Sequence, residues 1–407
     1  MSVLLALTGS VALAQPAPTE PAPAPAAAEP APAPVEAPAV VTPPQTTIPE
    51  SVPPVVAPPP AAAEPPPPPP PPPAAEKDAR KSPMTMNAWG RIGFSLQGWE
   101  DPKKLNKLTS DGELDLLINA EILPMVGLTG NLVGTYGPNA MNGTIQGDAG
   151  IMDLIARLDF DDAFHVWAGR MLVPSDRTNF SGPWFIAPWY YPGFVTPHQA
   201  VPYGPRQGPF GRNDGATVWG QAAGGTFKYY AGAYDLFDSS SNPLFSGRIS
   251  LSLLSPEPGY YGSSTYYGKD ILGIGLGAQY KKDGSGGEDY SEINVDVLFE
   301  KNLGSSGVLD VEGAFYKYMG DEDEELDYSF FALASYLIPK KIGPGQLQPL
   351  FRYQGAKPHD ADAYSLIDVQ LGYVVDTYAC RFALGYQHGE ANDASSNNVF
   401  LGVQLQK

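Results

Sequence analysis

The stretch WGRIGFSLQ, residues 89–97, shows the pattern that recurs through most of this 407-residue chain. Every second residue from Ile92 to Leu96 is large and apolar, and the residues between them are small, polar or charged. Because side chains alternate across a strand, this spacing predicts a strand with one apolar and one wet face. The same alternation returns at 293–300 (INVDVLFE) and at 378–387 (YACRFALGYQ). No helical period competes over a comparable length, so the sequence predicts an all-β fold.

About sixteen strands of this kind follow one another along the chain. They are predicted at 87–98, 113–122, 127–136, 151–160, 164–172, 214–223, 226–234, 246–254, 271–280, 291–300, 308–318, 326–337, 347–354, 364–375, 378–387 and 397–406. The strands near 164 and 226 alternate poorly, so the sequence does not assign their faces.

The connections between these strands fall into two sets. Tight turns, such as Pro124–Met125, alternate with long polar segments, such as residues 100–112. Short turns at one end and long loops at the other are typical of an outer-membrane barrel. One connection breaks this order, because residues 255–270 should form a short turn and are long instead.

Aromatic residues collect where the predicted strands end, as at Trp99, Tyr136 and Phe160. Interfacial belts of such residues are expected of a membrane protein. A soluble β-sandwich is the alternative, but it explains neither the aromatic residues nor the two sets of connections. The predicted fold is therefore a transmembrane antiparallel β-barrel of about sixteen strands over residues 82–407. We expect it to lie in the outer membrane of a Gram-negative cell.

The first 81 residues are of a different kind. Residues 1–14 are largely apolar and end in Ala-Leu-Ala before Gln15, which matches the small-x-small cleavage site of a signal peptide. The positively charged start of such a peptide is missing, so this segment is either a signal peptide truncated at its start or an unstructured N-terminus. Residues 15–81 are mostly proline, alanine, valine and glutamate, and they cannot bury a core. We expect a disordered linker in the periplasm, which either contacts peptidoglycan or acts as a passive tether.

Composition and motifs exclude several other classes of protein. The net charge of −19 argues against a nucleic-acid partner, which would need a basic patch. The single cysteine, Cys380, rules out a disulfide framework. The four histidines share no metal-ligand spacing and no serine-centred elbow motif occurs, so we expect no enzyme, metal or cofactor. The glycines of residues 273–277 suggest a nucleotide-binding loop only superficially, because they lie in an alternating strand. Lacking side chains, they make the barrel wall thinner on one face.

A pore would use the ionisable residues on the inner face of the strands, where charges tune selectivity. The candidates on the predicted inner face are Arg91, Arg157, Arg248, Asp296, Glu312, Arg352 and Arg381. Lipid and lipopolysaccharide are the expected partners outside the barrel. The acidic run 321–325 is either a solvated loop tip or a site for divalent cations that bridge lipopolysaccharide.

The connection of about forty residues at 172–213 stands apart, because structureless segments of this length are usually functional. It is rich in proline, glycine and aromatic residues, and it carries Arg177, Arg206 and Arg212 against one carboxylate, Asp176. We expect it to fold into the barrel and to narrow the pore. Two interpretations of its arginines stay open. They form a ring that lowers the barrier for anions, or they pair with wall carboxylates and pin the loop.

The passage Trp167-Ala-Gly-Arg-Met-Leu-Val-Pro174, which leads into this loop, resembles the phosphate-selective porin O and P family. The resemblance covers residues 84–407 and extends to the strand count, the N-terminal extension and the order of the loops. It implies a sixteen-stranded, trimeric porin whose third loop narrows the channel. Members selective for phosphate use a ladder of basic residues, whereas here 44 acidic residues outnumber 25 basic ones.

The function expected from these features is passive diffusion of small hydrophilic solutes and ions across the outer membrane. A preference for anions or phosphate is a further implication of the resemblance. The alternative is a structural barrel that anchors the proline-rich arm, residues 15–81, to the cell envelope.

Overall fold

The computed structural model describes residues 84–97, 104–138, 145–192, 211–236, 242–283, 289–320, 326–359, 362–391 and 394–407. The predicted signal peptide (1–14) and linker (15–81) lie outside the described residues, as do Arg206 and the acidic run 321–325.

The described part of the chain is built from strands and contains one short α-helix, α1 (Arg177–Ser181). The strands are β1 (Met84–Gln97), β2 (Lys107–Leu123), β3 (Val126–Pro138), β4 (Ile145–Asp161), β5 (Phe164–Leu172), β6 (Arg212–Ala222), β7 (Phe227–Tyr234), β8 (Leu244–Leu253), β9 (Ile271–Lys281), β10 (Tyr290–Asn302), β11 (Val308–Met319), β12 (Leu326–Leu337), β13 (Lys341–Ile342), β14 (Gly345–Pro358), β15 (Tyr364–Asp376), β16 (Cys380–Ala391) and β17 (Ala394–Gln406). Two 3₁₀ turns lie at Ala223–Gly225 and Gly304–Ser306. No helix among these residues is long and apolar enough to cross a membrane.

The sheet closes on itself. Sixteen strands each pair antiparallel with both neighbours, and the two-residue strand β13 belongs to the turn between β12 and β14. On β1, Trp89 lies opposite Gln406 of β17 on one side and opposite Asp115 of β2 on the other. Because the first and last strands pair, the barrel has no open edge. The predicted fold class, an antiparallel barrel of sixteen strands, is confirmed.

The alternation in the sequence corresponds to the two faces of this wall. On β10, Ile293, Val295 and Val297 are exposed on the outer face, whereas Asn294 and Asp296 between them are almost completely buried inside. The same division holds along β15 and β16. An extended apolar surface is unfavourable in water, and lipid accepts it readily.

The two ends of the barrel differ in their connections. The end with short turns, such as residues 124–125 and 377–379, is called the turn end here, and the opposite end is called the loop end. The connection between β8 and β9, residues 254–270, lies at the turn end and is long, as the sequence indicated.

Some predicted strand limits were wrong. Strands β2 and β4 begin several residues before the predicted positions 113 and 151, because the alternation fades towards the loop end. Tyr378, predicted to start a strand on the apolar face, lies instead in the turn before β16. Its buried hydroxyl donates to the carbonyl oxygen of Phe185 at 2.9 Å, so the turn directs this side chain into the barrel.

Candidate functional site

The described part of loop 3, the connection 173–211 between β5 and β6, crosses the interior of the barrel. The structure describes its residues 173–192 and 211. Near β5 the loop contacts β8, where Arg248 donates to the carbonyl oxygen of Ser175 at 2.7 Å. Residues 183–191 bond to strands on the opposite side of the sheet order, from β14 round to β1. Trp184, Ile186 and Trp189 in this part are almost completely buried.

Helix α1 directs the loop inward, and Asp176 is its N-cap. The Asp176 carboxylate accepts hydrogen bonds from the backbone nitrogens of Thr178 at 2.9 Å and Asn179 at 3.3 Å, as such caps do. Burial, together with nearby Asp296, raises the pKa of Asp176. Asp176 was predicted as a pore residue, and the structure gives this carboxylate a capping contact within the loop.

Three of the predicted pore arginines hold the backbone of loop 3 against the far wall. Hydrogen bonds that involve a charged group contribute about 1.5–3 kcal/mol each. The rigid guanidinium fork lets one arginine bond to two carbonyl groups at once. The shortest bonds run from Arg91 Nη2 to Trp189 O (2.6 Å), from Arg381 Nη1 to Ile186 O (2.7 Å) and from Arg352 Nη1 to Tyr190 O (2.8 Å).

Two of the three arginines in the long connection pair with carboxylates. Arg177 donates to both oxygens of Glu257, at 2.6 and 3.0 Å. Arg212, the first residue of β6, reaches both oxygens of Asp153 on β4, at 3.1 and 3.3 Å. Burial alone would raise the pKa of Glu257, but Arg177 and Lys228 beside it hold that pKa well below its usual range. These contacts agree with the interpretation in which the arginines fasten the loop.

The other predicted candidates divide into two groups. Arg248 on β8 pairs with Asp296 on β10, with Nη2 and Oδ1 3.0 Å apart. Glu312 on β11 accepts a hydrogen bond from the Thr178 hydroxyl of α1 at 3.2 Å. Arg157 is set apart from them, because its side chain is 19% exposed and lies 3.7 Å from Asp159 of the same strand. The structure therefore brings the described candidates into contact with loop 3 or with one another, except for Arg157 and for Arg212, which pairs with Asp153 of the wall.

The inward-facing glycines of β9 make room for these charged side chains. A Cβ atom at Gly273 would lie 2.4 Å from Arg177 Nη2, and one at Gly275 would lie 2.2 Å from Arg248 Nη2. Real Cβ atoms do not approach other atoms so closely, so a side chain at either position would make the arginine head group move from its present place. Residues 273–277 lie within strand β9, as the alternation in the sequence predicted.

An aromatic core against β5–β7 was not predicted from the sequence. Trp167 of β5 stacks on Tyr260, with ring centroids 4.6 Å apart, and Phe180 of α1 lies 5.0 Å from Tyr230 of β7. The inner face of these strands is therefore aromatic where other strands are polar. This explains why β5 and β7 alternate poorly in the sequence.

The long connection at the turn end also enters the barrel. Its residues 255–268 are called the inner turn segment here. Glu257, Ser264 and Thr265 of this segment are almost completely buried. The Tyr260 hydroxyl donates to the carbonyl oxygen of Leu172, 3.1 Å away, at the start of loop 3. The sequence showed that this connection was too long for a turn, but nothing in its composition showed that it folds inward.

The described histidines are separate from one another. His165 stacks on Trp219 with centroids 3.9 Å apart, His359 contacts Asp327, and His388 lies at the far end of β16. Within the described ranges, no group of three or more His, Cys, Asp or Glu side chains is arranged to hold a metal ion.

No protein-family model and no curated protein matches this chain. Several solved structures have a similar fold. OmpF of Salmonella typhi, in complex with daunomycin, aligns with a TM-score of 0.56 at 9% identity, over 80% of this chain and 97% of that one. The anion-selective porin of Comamonas acidovorans aligns with a TM-score of 0.52 at 13% identity, over 80% and 99%. The trimer form of Vibrio cholerae OmpT aligns with a TM-score of 0.51 at 14% identity, over 80% and 100%. At these identities the likeness shows a shared barrel fold.

Proposed function

We propose that this protein is an outer-membrane porin through which small hydrophilic solutes and ions diffuse passively, and that loop 3 narrows its pore. The observation that carries this proposal is a closed wall with an apolar outer face and a charged inner face. Burying charges is unfavourable unless they are paired, so a barrel that served only as a packed scaffold would favour an apolar interior. The porin structures of similar fold support the same function.

We propose that the barrel lies in the outer membrane and assembles as a homotrimer. The apolar outer face would contact lipid and, in the outer leaflet, lipopolysaccharide. Residues 1–14 would be a signal peptide, and residues 15–81 would form a periplasmic arm within reach of peptidoglycan. A homotrimer is proposed because the Vibrio cholerae protein of similar fold is described in a trimer form.

Single-channel recording tests the proposal directly. The intact chain, folded and inserted into a planar lipid bilayer, is expected to give stepwise currents that increase with salt concentration, because a water-filled pore conducts dissolved ions. Absence of steps from a demonstrably folded barrel, both in the intact chain and after shortening of loop 3, would overturn the channel function. Heat-modifiable migration in gels serves as the control for folding.

Ion selectivity is the finer part of the proposal, and it depends on the arginines of the long connection. The Comamonas acidovorans porin is described as anion-selective, and arginine at a constriction lowers the barrier for anions. In this chain Glu257 and Asp153 offset the charges of Arg177 and Arg212. We propose Arg206 as the residue that attracts anions.

Replacing Arg206 with glutamine is expected to shift the reversal potential in a salt gradient towards cation selectivity, by on the order of 10 mV. The matched control is the double variant Arg212→Gln, Asp153→Asn, which removes an offset pair and leaves the net charge unchanged. It should move the reversal potential much less. Equal shifts in the two variants would show that the paired arginines also act on permeating ions.

A structural barrel that anchors the proline-rich arm, residues 15–81, is the second candidate function. The observation that favours it is the packed interior, where loop 3 and the inner turn segment bury side chains such as Arg352 and Trp189. The same recording separates the candidates, because an anchor has no need to conduct.

A further inference from the structure

We propose that the inner turn segment, residues 255–268, is a second closing element of the barrel. It enters from the turn end, opposite to loop 3, and the ion pair between Arg177 and Glu257 latches the two together. Its release from loop 3 is the step that opens the pore to its larger conducting state. This inference rests on the proposed channel function and adds a gate to it.

The latch is a bidentate contact between a residue of each element. The Nη1 and Nη2 atoms of Arg177 donate to the two carboxylate oxygens of Glu257, and Nη1 also donates to the carbonyl oxygen of Ser263 at 3.0 Å. Planar two-bond pairing of this kind is stronger and more directional than a single neutral hydrogen bond. Both side chains are almost completely buried, so no bulk water competes for these bonds.

Backbone contacts join the same two elements along their length. The nitrogen of Gly262 donates to the carbonyl oxygen of Phe180 at 3.4 Å, and that of Ser264 donates to Phe185 at 2.9 Å. The Glu312 carboxylate of the wall accepts hydrogen bonds from the Ser264 hydroxyl and from Thr178 of α1. A single wall residue thus holds both elements.

The inner turn segment spans the turn end from one side of the barrel to the other. Near β7, Lys228 donates to the carbonyl oxygen of Gly259 at 3.2 Å. On the far side, the hydroxyl of Tyr378, in the turn between β15 and β16, accepts a hydrogen bond from the backbone nitrogen of Thr265 at 3.2 Å. In the sheet order β7 and β15 lie on opposite sides, so the segment crosses the path of a permeating ion.

The wall holds the end of this segment through one carboxylate. Glu300 of β10 accepts hydrogen bonds from the backbone nitrogens of Gly268 and Lys269, both at 2.7 Å, and from the Thr265 hydroxyl at 2.7 Å. No helix or strand forms in residues 254–270. Polar contacts, together with the packing of Tyr260 in the aromatic core, therefore hold the segment in place of sheet pairing.

The ends of the segment carry backbone strain that release would relieve. Leu254 has a φ of 72° and Tyr267 a φ of 57°, a left-handed conformation that is unfavourable for residues with a Cβ atom. Such conformations persist only where the surrounding structure enforces them. Leu254 and Tyr267 lie at the two ends of the segment, where the hinges of a moving segment would be expected.

The first test removes the segment. Leu253 and Leu272 lie opposite each other in the β8–β9 pair, so two glycines in place of residues 256–268 can close a short hairpin. In planar bilayers this variant is expected to show a unitary conductance at least about twofold above that of the intact chain. In the same assay Glu257→Gln should lengthen the high-conductance openings, whereas Asp270→Asn, at the exposed end of the same connection, should not.

The second test locks the segment in place without removing it. A Cβ atom at Gly262 would lie 3.9 Å from the Cβ of Phe180, within the range of about 3.5–4.5 Å that a disulfide requires. In a Cys380→Ser background, the Gly262→Cys, Phe180→Cys pair should abolish the high-conductance openings when oxidised. Reduction with dithiothreitol should restore them.

The outcomes separate this inference from the proposed function. The gate would be overturned if the stepwise currents were the same in the intact chain, the excision variant and the oxidised disulfide variant. The proposed porin function would then still stand. No current from any folded variant, including the excision, would overturn the channel function itself. Larger currents in the excision variant, together with loss of the high-conductance openings when the disulfide variant is oxidised, would establish both the gate and the channel function.

Discussion

A barrel in which Arg91 and Arg381 are both replaced by glutamine is expected to release the far end of loop 3 and to carry at least about twofold more current per channel. These two arginines belong to the wall, on β1 and β16, and their guanidinium groups bond to loop carbonyl groups. Arg91 also lies over the ring of Trp189, with 4.4 Å between its guanidinium carbon and the ring centroid. The double variant therefore removes anchors and leaves the loop sequence unchanged.

The size of the effect follows from the bonds that are lost. The four bonds run from Arg91 to Pro183 O (3.1 Å) and Trp189 O (2.6 Å), and from Arg381 to Ile186 O (2.7 Å) and Ala187 O (3.1 Å). At about 1.5–3 kcal/mol for each bond to a charged group, the docked loop loses more than about 5 kcal/mol. A difference of about 5.5 kcal/mol moves a two-state equilibrium from 1:99 to 99:1, so a loss of this size shifts the equilibrium strongly towards the released loop.

The choice of residues and controls keeps this experiment specific. Arg352 also holds the loop, but it pairs with buried Asp368, and its removal would leave that carboxylate without its cation. Arg170→Gln is the matched control, because Arg170 pairs with Asp214 in a partly exposed position and its loss should leave the conductance unchanged. An unchanged conductance in the double variant, with normal folding, would show that other contacts suffice to dock loop 3.

The sequence predicted the wall of this barrel more accurately than its interior. The alternation of residues 293–300 reports directly on the wall, since one face contacts the outside and the other does not, whatever fills the lumen. The same argument places Arg91 and Arg381 on the inner face. Their partners could not be predicted, because these are carbonyl groups of a loop distant in sequence, and carbonyl groups are present at every residue.

The faces of β5 and β7 stayed unassigned for a physical reason. Trp167 and Tyr230 face inward and pack against Phe180 and Tyr260, so part of the inner face of these strands is apolar. The alternation of apolar and polar residues weakens where an aromatic side chain takes an inward position that is polar in other strands. The poor alternation of these two strands is the sequence signal from which such a core could have been predicted.

The charges inside this barrel act mainly on one another and on the two elements that enter it. Arg177 with Glu257 and Arg248 with Asp296 are almost completely buried pairs, and removing one partner of such a pair is strongly destabilising. Pairs of this kind favour one arrangement of loop 3 over others. In this acidic chain the described interior arginines can therefore serve to hold loop 3 in one arrangement.

Replacing Leu401 with arginine is expected to destabilise the membrane-inserted barrel by about 2–4 kcal/mol, whereas the same change at Leu405 should cost about 0–1 kcal/mol. Both residues lie on the outer face of β17 with similar exposure, 47% and 54%. Leu401 is at the middle of the strand, opposite Phe94 of β1 and Leu384 of β16, which are also exposed and apolar. Leu405 is next to the end of the strand.

The comparison between these two variants measures depth in the membrane. In water, two equally exposed leucines on one strand would tolerate arginine equally well, whereas in a bilayer the cost rises towards the midplane because a charge loses its hydration there. Urea unfolding of barrels folded into phospholipid vesicles, followed by the heat-modifiable gel shift, gives both free energies. Equal costs at the two positions would contradict the assignment of the apolar outer face to lipid. A difference of about 2 kcal/mol or more would place the middle of β17 in the hydrocarbon core, since only there is arginine so unfavourable.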